Sequence, residues 1–445
     1  MGGWLTRILL KTDLENCRLQ VIQCYKESTS TIPAHPLDPS RTVDIDKFFF
    51  ALELIRELPR KRRSQERVRL SWRERNLDKV QTQPLKNWED LFKPEVVGNS
   101  MIILSGGAGF GKSTFLLKVA NASTLRGSKS PLAKFKLVFL VKLRQMKNSS
   151  CVIDAIYEQL LPKDTKLKRS KLQRIINENE ANIAFLLDGL DEIQSGVLSS
   201  PKGVYRLQDI LHNRVLAKSY VLVTTRPHMV DYACKGYPNY VRVRTSGFTT
   251  TTVNKYITRY FADNVRSANT LISHLKSNQS LQTLAQIPII VLMLCIVWEN
   301  LSKLPERLTA LYTEFAEVIV ERRRHEGEDE VKLMKSVLSG LGQVALNGLL
   351  DPNGVRLIFE PHEFDQQVLT DGCQLGFLQK DTFTSGLKKN EVVTFLHKSF
   401  QEYCAANYLA NLYHADNDKF SEQLKNIQEH NVFAMEYLLR FACGI

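Results

Sequence analysis

Short apolar runs alternate with helical stripes through the middle of the chain. Met101–Leu104, Lys136–Val141, Ile183–Asp188, Tyr220–Thr224 and Tyr240–Val243 read as buried strands bounded by turn or charged residues. Between them the apolar positions fall at helical spacing, as Leu116, Val119 and Ala120 do after the first run. Such alternation predicts a parallel sheet in three layers, with ligands gathering at the carboxyl ends of its strands. Upstream, Leu5–Lys26 reads as a helix; Pro33, Pro36 and Pro39 exclude regular helix from Ser28–Ser40, and Val43–Leu58 returns to helical spacing. Downstream the pattern turns helical, at Thr252–Ala262, Leu281–Leu301 and Leu308–Arg324. After Val331 come helices at Lys332–Leu346 and Glu363–Gly372, then a small β pattern at Phe377–Gln379 and Glu391–Leu396, which together suggest a winged helix. Ser399 and Glu402 have capping-box spacing for a helix running to about Tyr413, with His397 just outside it.

Chemistry enters at the end of the first run. Gly106-Gly107-Ala108-Gly109-Phe110-Gly111-Lys112-Ser113-Thr114 spells Gly-x-x-x-x-Gly-Lys-Ser between a strand and a helix. Glycines there turn backbone N–H groups toward a phosphate chain, Lys112 reaches the β- and γ-phosphates, and the Ser113 hydroxyl can ligate Mg²⁺. The expected ligand is a nucleoside tri- or diphosphate. The third run ends in Asp188-Gly189-Leu190-Asp191-Glu192. Asp188 is the expected Mg²⁺ holder, and Asp191 or Glu192 the acid that polarises an attacking water. Arg226, after the fourth run, emerges at the same sheet edge and can sense a γ-phosphate; the alternative for it is an ion pair with a surface carboxylate. Arg144, after the second run, is a weaker candidate for that neighbourhood. His397 alone reads as a structural hydrogen-bonder.

Charge and composition add boundaries rather than chemistry. Lys plus Arg number 60 and Asp plus Glu 47, a surplus of 13 that is mostly dispersed. Its one concentration, Arg56–Lys79, holds ten basic and four acidic residues with few aromatics between them, so nucleic acid is not expected as a partner. Eight cysteines without a Cys-x-x-Cys pair fit a reducing compartment, and the N-terminus lacks a persuasive signal peptide, so the expected location is cytoplasmic. Ile287–Trp298, the longest apolar run, contains Pro288 and falls short of the ~20 residues a bilayer requires.

Taken in order, the cradle, Asp188–Glu192, Thr224-Thr225-Arg226-Pro227, Gln286-Ile287-Pro288-Ile289 and Phe395–Tyr403 resemble the NACHT nucleotide-binding family, the NTPase core of NOD-like receptors within the STAND class of signalling ATPases. The resemblance covers residues 85 to 445. It implies an α/β fold: a parallel-sheet P-loop NTPase domain at 85–245, a helical domain at 246–330 and a winged-helix domain at 331–415. Residues 1–84 would be a helical arm and basic linker, and 416–445 the start of a further helical region. It also implies that Pro288 packs on adenine and that His397 contacts the β-phosphate of ADP in a closed, monomeric form. ATP exchange would then open the chain and allow homo-oligomers with unidentified signalling partners. Against that family pattern, no recognisable effector domain stands before the core and no 20–29-residue leucine repeat occurs in the chain, so it is expected to be the switch without its sensor or output, as a fragment, a truncated gene model or a short isoform. The rival readings are a turnover ATPase, such as a motor or kinase, and a scaffold that keeps nucleotide as a structural core.

Overall fold

The computed structural model describes residues 2–35, 38–58, 82–97, 101–107, 109–125, 130–146, 151–193, 204–234, 240–305, 307–323, 330–352, 354–375, 377–385, 388–395, 397–430 and 435–445. Its first two strands, β1 (Thr31–His35) and β2 (Asp38–Asp44), form an antiparallel pair in the stretch where the prolines exclude helix. The centre is a seven-stranded sheet of β3 (Glu53–Glu57), β4 (Thr82–Pro84), β5 (Met101–Ser105), β6 (Leu137–Lys142), β7 (Ile183–Asp188), β8 (Tyr220–Thr225) and β9 (Tyr240–Gly247), in the order β4-β3-β9-β5-β8-β7-β6. The five expected strands, β5 to β9, all form and run parallel. They read clearly because both faces are covered: β5, β6, β7 and β8 are buried along nearly their whole length.

Val43–Leu58 departs from expectation. Only Ile45–Phe48 is helical, and Glu53–Glu57 is a strand that pairs antiparallel with β9 and β4. A short stretch with Leu54 inward satisfies either period, and the distant partner β9 decides in favour of the strand. The basic segment lies almost wholly outside the described residues.

The opposite edge of the sheet, β6, is closed by the first helix, Gly2–Ser28. Buried Tyr25 donates its hydroxyl to the Val138 carbonyl at 2.8 Å and accepts from the Leu140 N–H at 2.7 Å, which satisfies an edge that would otherwise stay open.

Beyond β9 the chain is helical: Thr250–Tyr260, Val265–Ser277, Gln279–Leu284, Pro288–Leu301 and Leu308–Arg323. The single helix expected over 281–301 is broken, because Pro288 lacks an N–H and sits where a new helix begins. Further on, the strands β10 (Ile358–Phe359), β11 (Leu378–Ser385) and β12 (Lys388–Phe395) form an antiparallel sheet in the order β10-β12-β11, accompanied by helices Glu330–Leu349, Gln366–Gln374 and Lys398–Ala415. Glu330–Leu349 and Lys398–Ala415 lie very close, since a Cβ added at Gly342 would stand 2.6 Å from the Cys404 carbonyl oxygen. Helices Asn417–Glu429 and Glu436–Ala442 complete the chain. No helix among the described residues is long and apolar enough to cross a membrane.

Helix Lys398–Ala415 also corrects the capping expectation. Its N-cap is His397, whose Nδ1 accepts from the Ser399 N–H at 3.1 Å, while the Ser399 hydroxyl meets Tyr312 and His397 at 2.7 Å each. Ser399 therefore lies inside the first turn instead of before it.

Replacing Tyr25 with Phe removes both edge hydrogen bonds and leaves two buried backbone groups unsatisfied. A loss of about 2 kcal/mol in urea unfolding is expected, with little change in the urea dependence.

Candidate nucleotide site

Every parallel strand of the sheet ends on the same side, and the residues singled out from sequence follow those ends. β5 leads into the glycine loop, β6 into Arg144, β7 into Asp188 and β8 into Arg226. Because β8 lies between β5 and β7, its last residues stand between the glycine loop and the acids.

The loop is held open by backbone that only glycine adopts easily. Gly109 and Gly111 have φ of +74° and +76°, and Gly111 caps the helix Lys112–Ala122. The Gly106 N–H donates to the Thr225 carbonyl at 3.2 Å, tying the loop to β8. Lys112 curls back over the loop, its ammonium donating to the Gly106 and Gly107 carbonyls at 2.7 and 2.9 Å. Burial holds the Lys112 ammonium below its ordinary pKa, against the opposing pull of Asp191. Phe110 lays its ring against Gly107, Ser113 is exposed on the first helical turn and Thr114 is half-buried behind it. Ala108 lies outside the described residues.

Pro288 comes to this loop from the helical segment. A Cβ added at Gly111 would stand 3.7 Å from Pro288 Cγ, one added at Gly109 would collide with Ile289, and the Ile289 N–H donates to the Gly109 carbonyl at 3.3 Å. Gln286 anchors the same turn, its carbonyl accepting from the Phe248 N–H at 2.7 Å just after β9.

The three acids take separate partners. Asp188 accepts from the Thr224 hydroxyl at 2.7 Å, and that hydroxyl accepts from the Gly189 N–H at 2.8 Å, which fixes the carboxylate's orientation. Asp191 is taken by Arg226, through Nε at 3.1 Å and through the backbone N–H at 3.1 Å. Glu192 faces Arg144 at 3.9 Å. Burial pushes the Asp191 carboxyl up, but Arg226, Lys112 and Lys398 together hold it below the ordinary range. Glu192 goes the other way: burial and then the Asp191 charge push it up to about 7. Two neighbouring carboxyls are thus driven apart, one committed to its charge and one able to exchange a proton near neutrality.

Arg226 carries a second ion pair. Its Nη1 lies 3.5 Å from Glu402 on helix Lys398–Ala415, and both residues are buried, Arg226 with 8% and Glu402 with 0% of its surface exposed. The surface ion pair weighed for Arg226 from sequence is therefore an interior one with two carboxylates. His397, at the head of the same helix, is partly buried. Burial first, and then the positive charges of Arg226, Lys112, Lys398 and Arg144, push its ring down to about 3. With Nδ1 accepting from a backbone N–H, the neutral ring carries its proton on Nε2. Lys112, Asp188, Asp191, Glu192, Arg226 and His397 thus share one electrostatic neighbourhood.

Sequence reasoning missed Glu402, Lys398 and Thr224. Five successive positions at the start of one helix, the polar Lys398, Ser399, Gln401 and Glu402 with the aromatic Phe400 among them, are all buried. The available signal was that run of polar residues inside an otherwise apolar stretch, Phe395–Leu412. Gln401 fixes the helix start by donating to the Ala345 and Arg356 carbonyls at 3.1 Å each.

With this geometry in hand, residues 100–264 match the family model described as "NACHT domain". The chain carries a NACHT domain. That match supports a nucleotide-binding P-loop unit, and the chain is similar over most of its length to proteins of the NOD-like type. The NACHT chain is 24% identical to "NACHT, LRR and PYD domains-containing protein 3" of Mus musculus over 82% of its own length and 36% of that protein's. It is 25% identical to "NLR family CARD domain-containing protein 4" of Xenopus tropicalis over 78% of its length and 34% of the relative's. The chain thus spans about a third of the length of the curated relatives it matches. Among solved structures it aligns with a STAND protein bearing a tetratricopeptide repeat sensor from Pyrococcus horikoshii, at 13% identity and a TM-score of 0.33 over 80% of this chain and 48% of that one.

Glu192 gives the NACHT site a pH signature. A carboxyl raised from 4.5 to about 7 keeps its proton in the folded chain while the unfolded chain loses it, so its stability contribution falls as pH rises through that window. Glu192→Gln is expected to stabilise the protein at pH 8 by up to about 3 kcal/mol, with the gain shrinking toward pH 5 in paired urea titrations.

Proposed function

We propose that this NACHT chain is a nucleotide-controlled conformational switch. With ADP bound, helix Lys398–Ala415 stays seated over the cradle and the chain is a monomer. Exchange for ATP releases the helix and lets NACHT domains assemble into homo-oligomers, in the service of innate immune signalling in the cytoplasm.

The observation that carries this reading is the double ion pair of Arg226, to Asp191 of the sheet and to Glu402 of the C-terminal helix. One guanidinium at the end of β8 is the natural partner for a γ-phosphate, and here it also holds the closing helix. A third phosphate that draws Arg226 away leaves Glu402 in the interior without it. Breaking a buried pair in this way costs about 3–5 kcal/mol. Shifting a population from 1:99 to 99:1 takes about 5.5 kcal/mol, so this single contact is of the right size to bias the switch.

The remaining roles follow from position. Lys112 and the loop N–H groups of Gly106, Gly107, Gly109 and Gly111 cradle the phosphates, Pro288 packs on the adenine, and His397 donates from Nε2 to the β-phosphate in the closed form. Among the described residues no three His, Cys, Asp or Glu side chains converge as a metal cage, and the donors suited to Mg²⁺ are Ser113 and Asp188. Bound there, Mg²⁺ would neutralise phosphate charge and order the terminal phosphates. Glu192, pushed up to about 7, is suited to accept a proton from an attacking water, whereas Asp191 is occupied by Arg226, so slow hydrolysis that resets the switch falls to Glu192. In this reading the NTPase unit spans 85–245, the helical unit 246–330 and a winged-helix unit 331–415.

Light scattering of the ADP-loaded chain is expected to give the monomer mass of 50.9 kDa, and a non-hydrolysable ATP analogue a multiple of it. Lys112→Ala should lose that response together with the thermal stabilisation by ADP, about 2.7 kcal/mol at a hundredfold excess over Kd. One mass under both nucleotides, or an ADP shift that survives Lys112→Ala, would count against the switch.

A further inference from the structure

Lys398 is the one feature of the closing helix that the switch has not used. It is 7% exposed and occupies the first position of an 18-residue helix, next to the His397 cap. Its ammonium has no hydrogen bond or ion pair among the described residues. The acids around it are engaged elsewhere: Asp191 and Glu402 with Arg226, and Glu192 with Arg144. Glu402 stands four residues on, a spacing at which helical Lys–Glu pairs form readily, yet its carboxylate turns to Arg226.

The blander assignment is a lysine that fills space and is balanced by the general field of Glu402, Asp191 and Glu192. That field is real, but burial and Arg226 outweigh it, and the Lys398 ammonium is pulled down to about 8. A cation kept in the interior at such a cost, where methionine fills a similar volume without any charge, points to an anion that is present in the working protein. Three features define its kind. Lys398 shares the positive end of its helix with His397, it stands one turn before Glu402, which reaches Arg226 at the end of β8, and the helix start is pinned there by Gln401.

We propose that Lys398 is a phosphate-binding residue supplied by the C-terminal helix, taking an oxygen of the β-phosphate of a nucleoside diphosphate from the side opposite Lys112. This rests on the nucleotide reading above and adds a residue to it. Lys398 and His397 then form a two-residue lid, a charged and a neutral donor on one rigid helix end, and preference for a diphosphate over a monophosphate resides there.

The test is displacement of a fluorescent ADP analogue from the full chain by ADP and by AMP, which lacks the β-phosphate. Lys398→Met is expected to weaken ADP about tenfold or more while leaving AMP nearly unchanged, as charge-assisted contacts of this kind require. The nucleotide-free variant should melt no lower than the parent, because it loses an unpaired buried charge. Lys398→Gln, which keeps a neutral donor, should fall between the two in ADP affinity. An ADP-to-AMP ratio equal to the parent's in both variants would overturn the assignment and leave Lys398 a space-filling cation, with the nucleotide reading intact. A parent chain that does not distinguish ADP from AMP would remove the nucleotide reading as well.

Discussion

A guanidinium with 8% of its surface exposed has to be held by carboxylates on more than one side, and in this chain the two that hold Arg226 come from different parts of the fold. Asp191 follows the acid strand of the central sheet; Glu402 lies in a helix more than 200 residues further along. Neither pair is strong evidence for stability by itself, because bringing charges out of water costs nearly what their attraction returns. What the arrangement gives is conditionality. Arg226 is held by both acids, and on the proposed reading a ligand that competes for its charge would disturb the seating of the distant helix.

Everything else in the site depends on strand order. Placing β8 between β5 and β7 puts Arg226 between the glycine loop and the acids, while Thr224, two residues before it, orients Asp188. The Gln286–Ile289 turn presses on the loop from the helical segment, and Lys398–Ala415 meets helix Leu308–Arg323 through Tyr312 and Ser399. Three stretches of chain that are well separated in sequence thus reach one set of charges. The same crowding explains why Glu192 is raised, Asp191 lowered and His397 kept neutral within a small volume.

Much of this is legible in the sequence. β5 and β7 announced themselves because uninterrupted apolar runs ended in glycines or acids, and those endings carry the chemistry. Pro288 stands out within the longest apolar run, although the apolar pattern around it does not show that a new helix starts there. β3 reads as helix in the sequence because five residues leave the period undecided and its partner β9 lies nearly 190 residues away. In the local pattern Glu402 reads as half of a capping box, since a glutamate three residues after a serine near a helix start has that meaning; the Arg226 it meets is a tertiary neighbour that no local pattern encodes. Lys398 carries no local signal for the same reason, as a lysine at a helix start ordinarily faces water.

The most direct test is a double-mutant cycle between Arg226 and Glu402, using Arg226→Met, Glu402→Leu and the double variant, with unfolding free energies taken in ADP and again in a non-hydrolysable ATP analogue. A coupling of about 2–3 kcal/mol in ADP that falls toward zero with the triphosphate is the expected result. The same coupling under both nucleotides would contradict a shared guanidinium and reduce the pair to a structural contact.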